Sequence, residues 1–172
     1  MSAPPWREEP IGRGHDRGKF DCGSPELNHY LARYARQNHE SGGAKTFVAA
    51  SITEPARILG YYSISPGAIH YVDVPASVTR RLGRYDVPVF RLARLAVGRD
   101  MQGQRIGAAL LFAAGRRALA VATEVGGVAL TIDAKDERAA EWYERFDALR
   151  LLDDRLRLVL PLTTIADALR RG

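Results

Sequence analysis

The sequence predicts a mixed α/β domain built around one central strand–loop–helix unit. Three observations predict it. Runs rich in Val, Ile, Leu and Tyr alternate with stretches whose apolar residues recur every three or four positions, so strands and helices interleave along the chain. One β-rich run, Val87 to Val97, passes through a glycine-containing turn straight into a helical stretch, Ile106 to Val121. The length, 172 residues, suits a single domain and is enough to bury a core without metal or disulfide staples.

The elements follow in order. Residues 1 to 17, rich in Pro, Gly and charge, read as an arm or a weak first strand. Ser24-Pro25-Glu26 is a helix start, with Ser24 as N-cap and Pro25 at the first helical position. Leu27, Tyr30, Leu31, Tyr34 and Ala35 continue at helical spacing until Ser41-Gly42-Gly43. Thr46 to Ile52 and Ile58 to Ile64 are strands of a hairpin turning at Glu54-Pro55, the second broken at Ser65-Pro66-Gly67. Val72 to Gly83 is a short helix or loop, and Val87 to Val97 a strand. The helix from Ile106 stops at Gly126-Gly127. Val128 to Ile132 is a strand, Arg138 to Phe146 a helix, and Leu156 to Leu160 a last strand closed by Pro161. A short amphipathic tail, 163 to 172, completes one domain spanning 1 to 172.

Composition narrows the function classes. A single cysteine, Cys22, excludes an internal disulfide and a zinc site of clustered cysteines. Met1 to Pro10 carries Arg7, Glu8 and Glu9 and has no apolar core, so it does not read as a signal peptide. The uninterrupted apolar runs fall short of the roughly 20 residues of a membrane span. The expectation is a cytoplasmic protein without a membrane partner. The net charge is +5, and only Lys19, Lys45 and Lys135 are lysines, so 22 of the 25 basic residues are arginines. Arginine's planar fork suits phosphate, which points to a polyanion or a phosphorylated cofactor. Genomic composition bias explains the same count equally well.

The most informative stretch joins Leu92 to Val97, Gly98 to Met101 and Gln102-Gly103-Gln104-Arg105-Ile106-Gly107-Ala108. A buried strand runs into a short turn that opens a helix. Such a turn aims several backbone N–H groups at one spot on the positive end of the helix dipole, a site suited to pyrophosphate. Gly103 and Gly107 let a ligand approach the backbone; the alternative is that they serve only the turn and the helix–strand packing. The Walker pattern fails, because Ala108-Ala109 stand where Lys-Ser or Lys-Thr is needed. The dinucleotide fingerprint fails for want of a third glycine.

Gln102 to Gly107 resembles the pyrophosphate loop of the GNAT acyltransferases, with one departure: Arg105 stands where glycine is usual. Ala139 to Phe146 is similar to the late segment of that family whose tyrosine contacts the CoA sulfur. There the usual Gly-Phe is replaced by Phe146-Asp147-Ala148-Leu149, a second departure. Phe20 to Asn28, Ala44 to Val48, Gly60 to Ser65 and Val87 to Phe90, in that order, resemble the acetyltransferase toxins of bacterial toxin–antitoxin modules. The resemblance covers residues 18 to 161. It implies the GNAT fold, a mixed central sheet with a splayed strand pair flanked by helices. It further implies acetyl-CoA as donor with no metal, and acetylation of the free α-amine of an aminoacyl-tRNA, which blocks translation. It also implies neutralisation by a ribbon-helix-helix antitoxin, and a homodimer.

The resemblance assigns roles. Acetyl transfer to an amine expels a thiolate, and Tyr143 is the candidate acid, since a phenol with pKa about 10 keeps its proton at neutral pH. Without the resemblance Tyr143 reads as a core tyrosine beside Trp142. The N–H groups of Leu95, Ala96 and Val97 are the candidate donors to the thioester carbonyl. Gln102, Gly103, Gln104, Arg105, Ile106, Gly107 and Ala108 are the candidate pyrophosphate site. No general base stands out: His15, His29, His39 and His70 are scattered, and Cys22 reads as a small half-buried side chain at a helix cap.

Arg80, Arg81, Arg84, Arg91 and Arg94 lie close in sequence with only Asp86 against them. They are the candidate contacts to tRNA phosphates, extended by Arg33, Arg36 and Lys45. Two other readings stay open. One is an acetyltransferase acting on a small amine or a protein N-terminus. The other is a basic nucleic-acid-binding module with a degenerate fold.

Overall fold

The computed structural model describes residues 3–172. The sheet has seven strands in the order β1-β2-β3-β4-β5-β7-β6. The chain divides into two compact units, Met1–Ser65 with Arg94–Ala113 and Pro66–Ala93 with Ala114–Gly172, and each is described by itself.

In the first unit, β1 (Trp6–Pro10) pairs antiparallel with β2 (Lys45–Ser51), from Trp6↔Ser51 to Pro10↔Phe47. The segment that reads as an arm or weak strand is therefore a full edge strand. Between them lie α1 (Pro25–Arg33) and α2 (Ala35–Ser41). Ser24 caps α1, its Oγ accepting from the Leu27 N–H at 3.4 Å. The spacing predicts one helix here, but Tyr34, at φ −120°, divides it. The periodicity survives the break because Tyr30, Leu31 and Ala35 are all buried. Gly42, at φ 86°, ends α2 in the left-handed conformation. Strand β3 (Ile58–Ile69) pairs antiparallel with β2, with a bulge between Ala49 and Ala50. Phe20, Tyr30, Leu31, Val48 and Tyr61 form the heart of this unit's core.

The predicted break at Ser65-Pro66-Gly67 does not occur; β3 runs through it to Ile69. Pro66 is exposed, where a missing N–H costs the ladder little. A Cβ on Gly67 would stand at ordinary contact distance from Val89 and Arg91.

The second unit continues with a 3-10 turn at Tyr71–Asp73 and α3 (Ala76–Thr79), then β4 (Val87–Val97), whose last four residues belong to the first unit. After a 3-10 turn at Arg99–Met101 comes α4 (Ile106–Val125), and Gly126 and Gly127 stop it at φ 88° and 123°. A Cβ on Gly127 would lie 2.4 Å from the Phe90 ring, so this position needs glycine for space as well as for φ. Strand β5 (Ala129–Asp133) is parallel to β4, α5 spans Glu137–Glu144, and β7 (Arg157–Pro161) is antiparallel to β5. Strand β6 (Leu149–Arg150) is too short to leave a pattern in the sequence. The amphipathic tail is α6 (Leu162–Arg171), with Leu162 and Ile165 buried. Ile69, Val74, Val87, Val89, Leu151 and Val159 make the second core.

Helix α4 corrects one expectation. By length and composition it is apolar enough to cross a membrane, although no uninterrupted run suggests it. Ile106, Leu110, Leu111, Ala114 and Ala118 are buried within the protein.

Candidate active site

The central strand supplies the first half of the site. The β4–β5 ladder runs from Val89↔Ala129 to Leu92↔Ile132 and goes no further. Leu95, Ala96 and Val97 thus belong to a stretch of β4 without a β5 partner, as a splayed pair requires. Close packing of this stretch depends on Gly60, where a Cβ would lie 2.8 Å from the Ala96 carbonyl and 3.0 Å from Leu110.

Beyond Val97 the turn is pinned by one side chain. Gln102 Nε2 donates to the carbonyls of Val97 at 3.1 Å and Cys22 at 3.2 Å. Gly103 follows at φ 81° and Arg105 at φ 66°. The first helical bond is from the Ala109 N–H to the Arg105 carbonyl, 3.1 Å. The N–H groups from Gln102 to Ala108 find no acceptor among the described residues. These donors precede the first bond of a 20-residue helix, at the end where its dipole is positive. Gln104 Oε1 is buried there without a partner, and the Arg105 side chain is exposed. The residues therefore fit a pyrophosphate group.

Helix α5 positions Tyr143. Asp136 caps it, its Oδ1 accepting from the Ala139 N–H at 2.8 Å. Tyr143 is buried, with Trp142 edge-on at 5.0 Å, and Trp142 also meets Phe146 at 4.9 Å. Burial, and secondarily the negative charge of Asp133, raises the phenol pKa well above its ordinary value, so Tyr143 stays protonated at neutral pH. None of the described residues accepts a hydrogen bond from its hydroxyl. After the helix, Asp147 sits at φ 69°.

Arg105 and Asp147 are the non-glycine residues with positive φ among those described. They stand at the two departures from the family pattern. The backbone keeps, at both, the left-handed conformation that glycine supplies most easily.

The arginines divide. Arg80, Arg81 and Arg84 are exposed. Arg91 is held by Asp133 Oδ2, accepting from Nε at 2.9 Å and from Nη2 at 2.5 Å. Arg94 lies over the Tyr30 ring at 3.6 Å. Arg36 pairs with Glu40 at 2.9 Å, and Lys45 donates to the His39 carbonyl at 2.8 Å. Asp133 is what counting charges in a window misses, since it is 42 positions from Arg91. Its only trace in the sequence is its place between a β-rich run and a helix start.

The histidines serve local structure. His15 accepts from the Gly12 N–H and pairs with Glu9; His39 accepts from the Thr46 N–H. His70 lies 3.5 Å from Asp86, and His29 packs edge-on against Tyr34. Cys22 is a buried free thiol.

Residues 15–148 match the acetyltransferase (GNAT) family. The chain belongs to that family. This acetyltransferase is 34% identical over 150 residues to a tRNA-acetylating toxin of Mycobacterium tuberculosis (strain ATCC 25618 / H37Rv), covering 87% of this chain and 88% of the relative. In fold it is similar to AtaT complexed with acetyl-methionyl-tRNAfMet, with TM-score 0.89 and 24% identity over 96% of this chain and 99% of that one. It is also similar to an AtaT toxin with one tyrosine replaced by phenylalanine, bound to acetyl-CoA and the C-terminus of the antitoxin AtaR. There the TM-score is 0.81 and the identity 23%, over 95% of this chain and 98% of that one. The acetyltransferase thus has the GNAT fold, a mixed seven-stranded sheet with flanking helices. It is an acetyl-CoA-dependent N-acetyltransferase.

Proposed function

We propose that this enzyme acetylates the free α-amine of an aminoacyl-tRNA and so blocks translation, as the toxin of a toxin–antitoxin pair. The observation that carries the reading is the run of seven free N–H groups from Gln102 to Ala108, on a strand end that has left its β5 partner. The 34% identity to a tRNA-acetylating toxin supplies the acceptor.

Each candidate residue has a task in this reading. The amides of Gln102, Gly103, Gln104, Arg105, Ile106, Gly107 and Ala108 hold the pyrophosphate, with the exposed Arg105 guanidinium adding charge. The N–H groups of Leu95, Ala96 and Val97 stabilise charge on the carbonyl oxygen. Tyr143 keeps its proton until a thiolate needs it. Acetyl-CoA supplies the activated acyl group. Arg80, Arg81 and Arg84 contact tRNA phosphates, and Arg94 adds a stacked guanidinium. The whole chain, 1–172, is one catalytic domain and works in the cytoplasm, where charged tRNA is found. The toxin acts as a homodimer, and a ribbon-helix-helix antitoxin silences it.

Labelled acetyl-CoA incubated with total charged tRNA tests the reading. Label is expected on the ester-linked amino acid, released as an N-acetyl amino acid by mild base. Label found only on small free amines or polypeptide N-termini overturns the acceptor and leaves the enzyme class standing.

A further inference from the structure

Helices α1 and α2 meet at Tyr34, and the joint is held from both sides. The Tyr34 N–H donates to the Tyr30 carbonyl at 2.9 Å, and the Tyr34 carbonyl accepts from the Asn38 N–H at 2.9 Å. The side chain at this joint is an aromatic ring that stays 51% exposed. Its neighbours restrict it. His29 stands edge-on at 5.4 Å between ring centres, and Tyr30 lies tilted beside it at 6.4 Å. Tyr30 is buried, its hydroxyl accepting from Asn38 Nδ2 at 3.2 Å, and the Arg94 guanidinium lies over its ring at 3.6 Å. Arg33, one residue before the joint, is exposed and pairs with no acid among the described residues. Rings and guanidinium thus form one contiguous cluster, and Tyr34 is its half-exposed tyrosine.

We propose that the Tyr34 ring is the platform on which an unpaired base of the tRNA 3′ end stacks, with Arg33 neutralising the phosphate beside it. The assignment rests on the aminoacyl-tRNA reading above and names a surface that receives the single-stranded end carrying the ester.

The chemistry of the patch favours a nucleobase. A protein partner calls for a contiguous apolar surface, whereas the exposed residues around Tyr34 in the chain are polar: His29, Arg33 and Gln37. Stacking calls only for one open π face with a cation near it, and it tolerates any base. Between Glu26 and Glu40 the chain carries Arg33 and Arg36 and no acid, so a phosphate meets no like charge along this stretch. A ring already restrained by two neighbours loses little freedom when a base covers it. The position suits the reaction as well. Tyr34, Tyr30 and Arg94 belong to the same compact unit as Leu95, Ala96 and Val97, and Arg94 directly precedes Leu95. A base at Tyr34 is therefore two side chains away from the strand end assigned to the acyl carbonyl.

Binding of uncharged tRNA, intact or trimmed of its single-stranded 3′ end, tests the platform. The wild type should hold intact tRNA more tightly than trimmed tRNA. Tyr34→Leu keeps apolar bulk and removes the π face. Intact tRNA should bind this variant about fivefold to a hundredfold more weakly, the weight of one stacked base. Trimmed tRNA should bind the variant and the wild type alike, and Tyr34→Trp should keep the affinity for intact tRNA. The loss in Tyr34→Leu should be the same at low and high salt, because a stacked base releases no counterions. Arg33→Gln should instead lower the slope of log Kd against log salt by about 0.7. Tyr34 is half-exposed, so acetyl-CoA binding and Tm should stay near wild type, and Tyr34→Ala repeats the measurement should Tyr34→Leu misfold. Unchanged affinity for intact tRNA in both variants, or an equal loss on trimmed tRNA, overturns the platform and leaves the aminoacyl-tRNA reading standing. If the wild type binds neither tRNA, that reading falls and the assignment with it.

Discussion

Replacing Arg105 by glycine should make the protein more stable and its grip on acetyl-CoA weaker. Arg105 sits at φ 66°, in a conformation that costs an L-residue about 1–2 kcal/mol. Glycine removes that cost but brings about 0.5–1 kcal/mol of extra chain entropy to the unfolded state. At mid-range the difference is a gain of about 0.75 kcal/mol. For a chain of this length that is roughly 1.5–3 °C in Tm. Asp147→Gly, at φ 69°, should gain less, because Asp tolerates the left-handed region better than Arg. Binding should move the other way at position 105. An exposed guanidinium beside the pyrophosphate amides contributes a screened charge, so Arg105→Gly should weaken acetyl-CoA binding about twofold to fivefold at low salt and less at high salt. Thermal melts and calorimetry at two ionic strengths read both effects. A lowered Tm would show that side-chain contacts of Arg105, rather than backbone strain, decide the loop. An unchanged Kd at low salt would remove Arg105 from the phosphate site.

Tyr143→Phe should cut kcat at least about a hundredfold and leave the Kd for acetyl-CoA within about twofold; near-normal turnover would exclude Tyr143 as the acid. Gly60→Ala forces a Cβ against the Ala96 carbonyl and should lower urea stability by about 1–3 kcal/mol. Gly127→Ala meets both a 2.4 Å clash with Phe90 and φ 123°, so it should cost more than Gly60→Ala; the reverse order would refute the packing argument. Hydrogen bonds from Arg150 hold the Glu137 and Glu144 carboxyls below their ordinary 4.5. Folded values below unfolded ones mean that this stabilisation is complete above pH 4.5 and is lost as pH falls through the folded values. Arg150→Met should therefore flatten the acid limb of the urea midpoint against pH, and an acid limb as steep as the wild type's counts against the clamp. Charge reversal at Arg80, Arg81 and Arg84 should slow tRNA acetylation in a salt-dependent way and spare a small free amine; equal loss on both removes these residues from the tRNA surface.

What the sequence showed depended on how local the cause was. Val87–Val97 is read to the residue because a buried strand bounded by a turn leaves a continuous apolar run. The Ser24 cap is read because capping involves four adjacent residues. The division at Tyr34 is invisible, since the buried side chains keep helical spacing across it. Passage of β3 through Pro66 is invisible because it depends on that proline being exposed. The pairing of Arg91 with Asp133 joins residues 42 positions apart, which a local charge count cannot anticipate.

The two departures from the family pattern carry the wider lesson. A pattern written in residues asks for glycine at position 105 and for Gly-Phe where Phe146-Asp147-Ala148-Leu149 stand, whereas the fold asks only for positive φ at 105 and 147. Both positions lie between elements whose places are set elsewhere. At 105, Gln102 ties the turn to Val97 and Cys22, and α4 follows at once. At 147, α5 ends with the Phe146 and Ala148 N–H groups both donating to the Tyr143 carbonyl. With both ends fixed, the intervening residue takes the left-handed conformation whatever its side chain. The departures are then small losses of stability at sites whose shape is intact, and they give no reason to expect a catalytically dead fold.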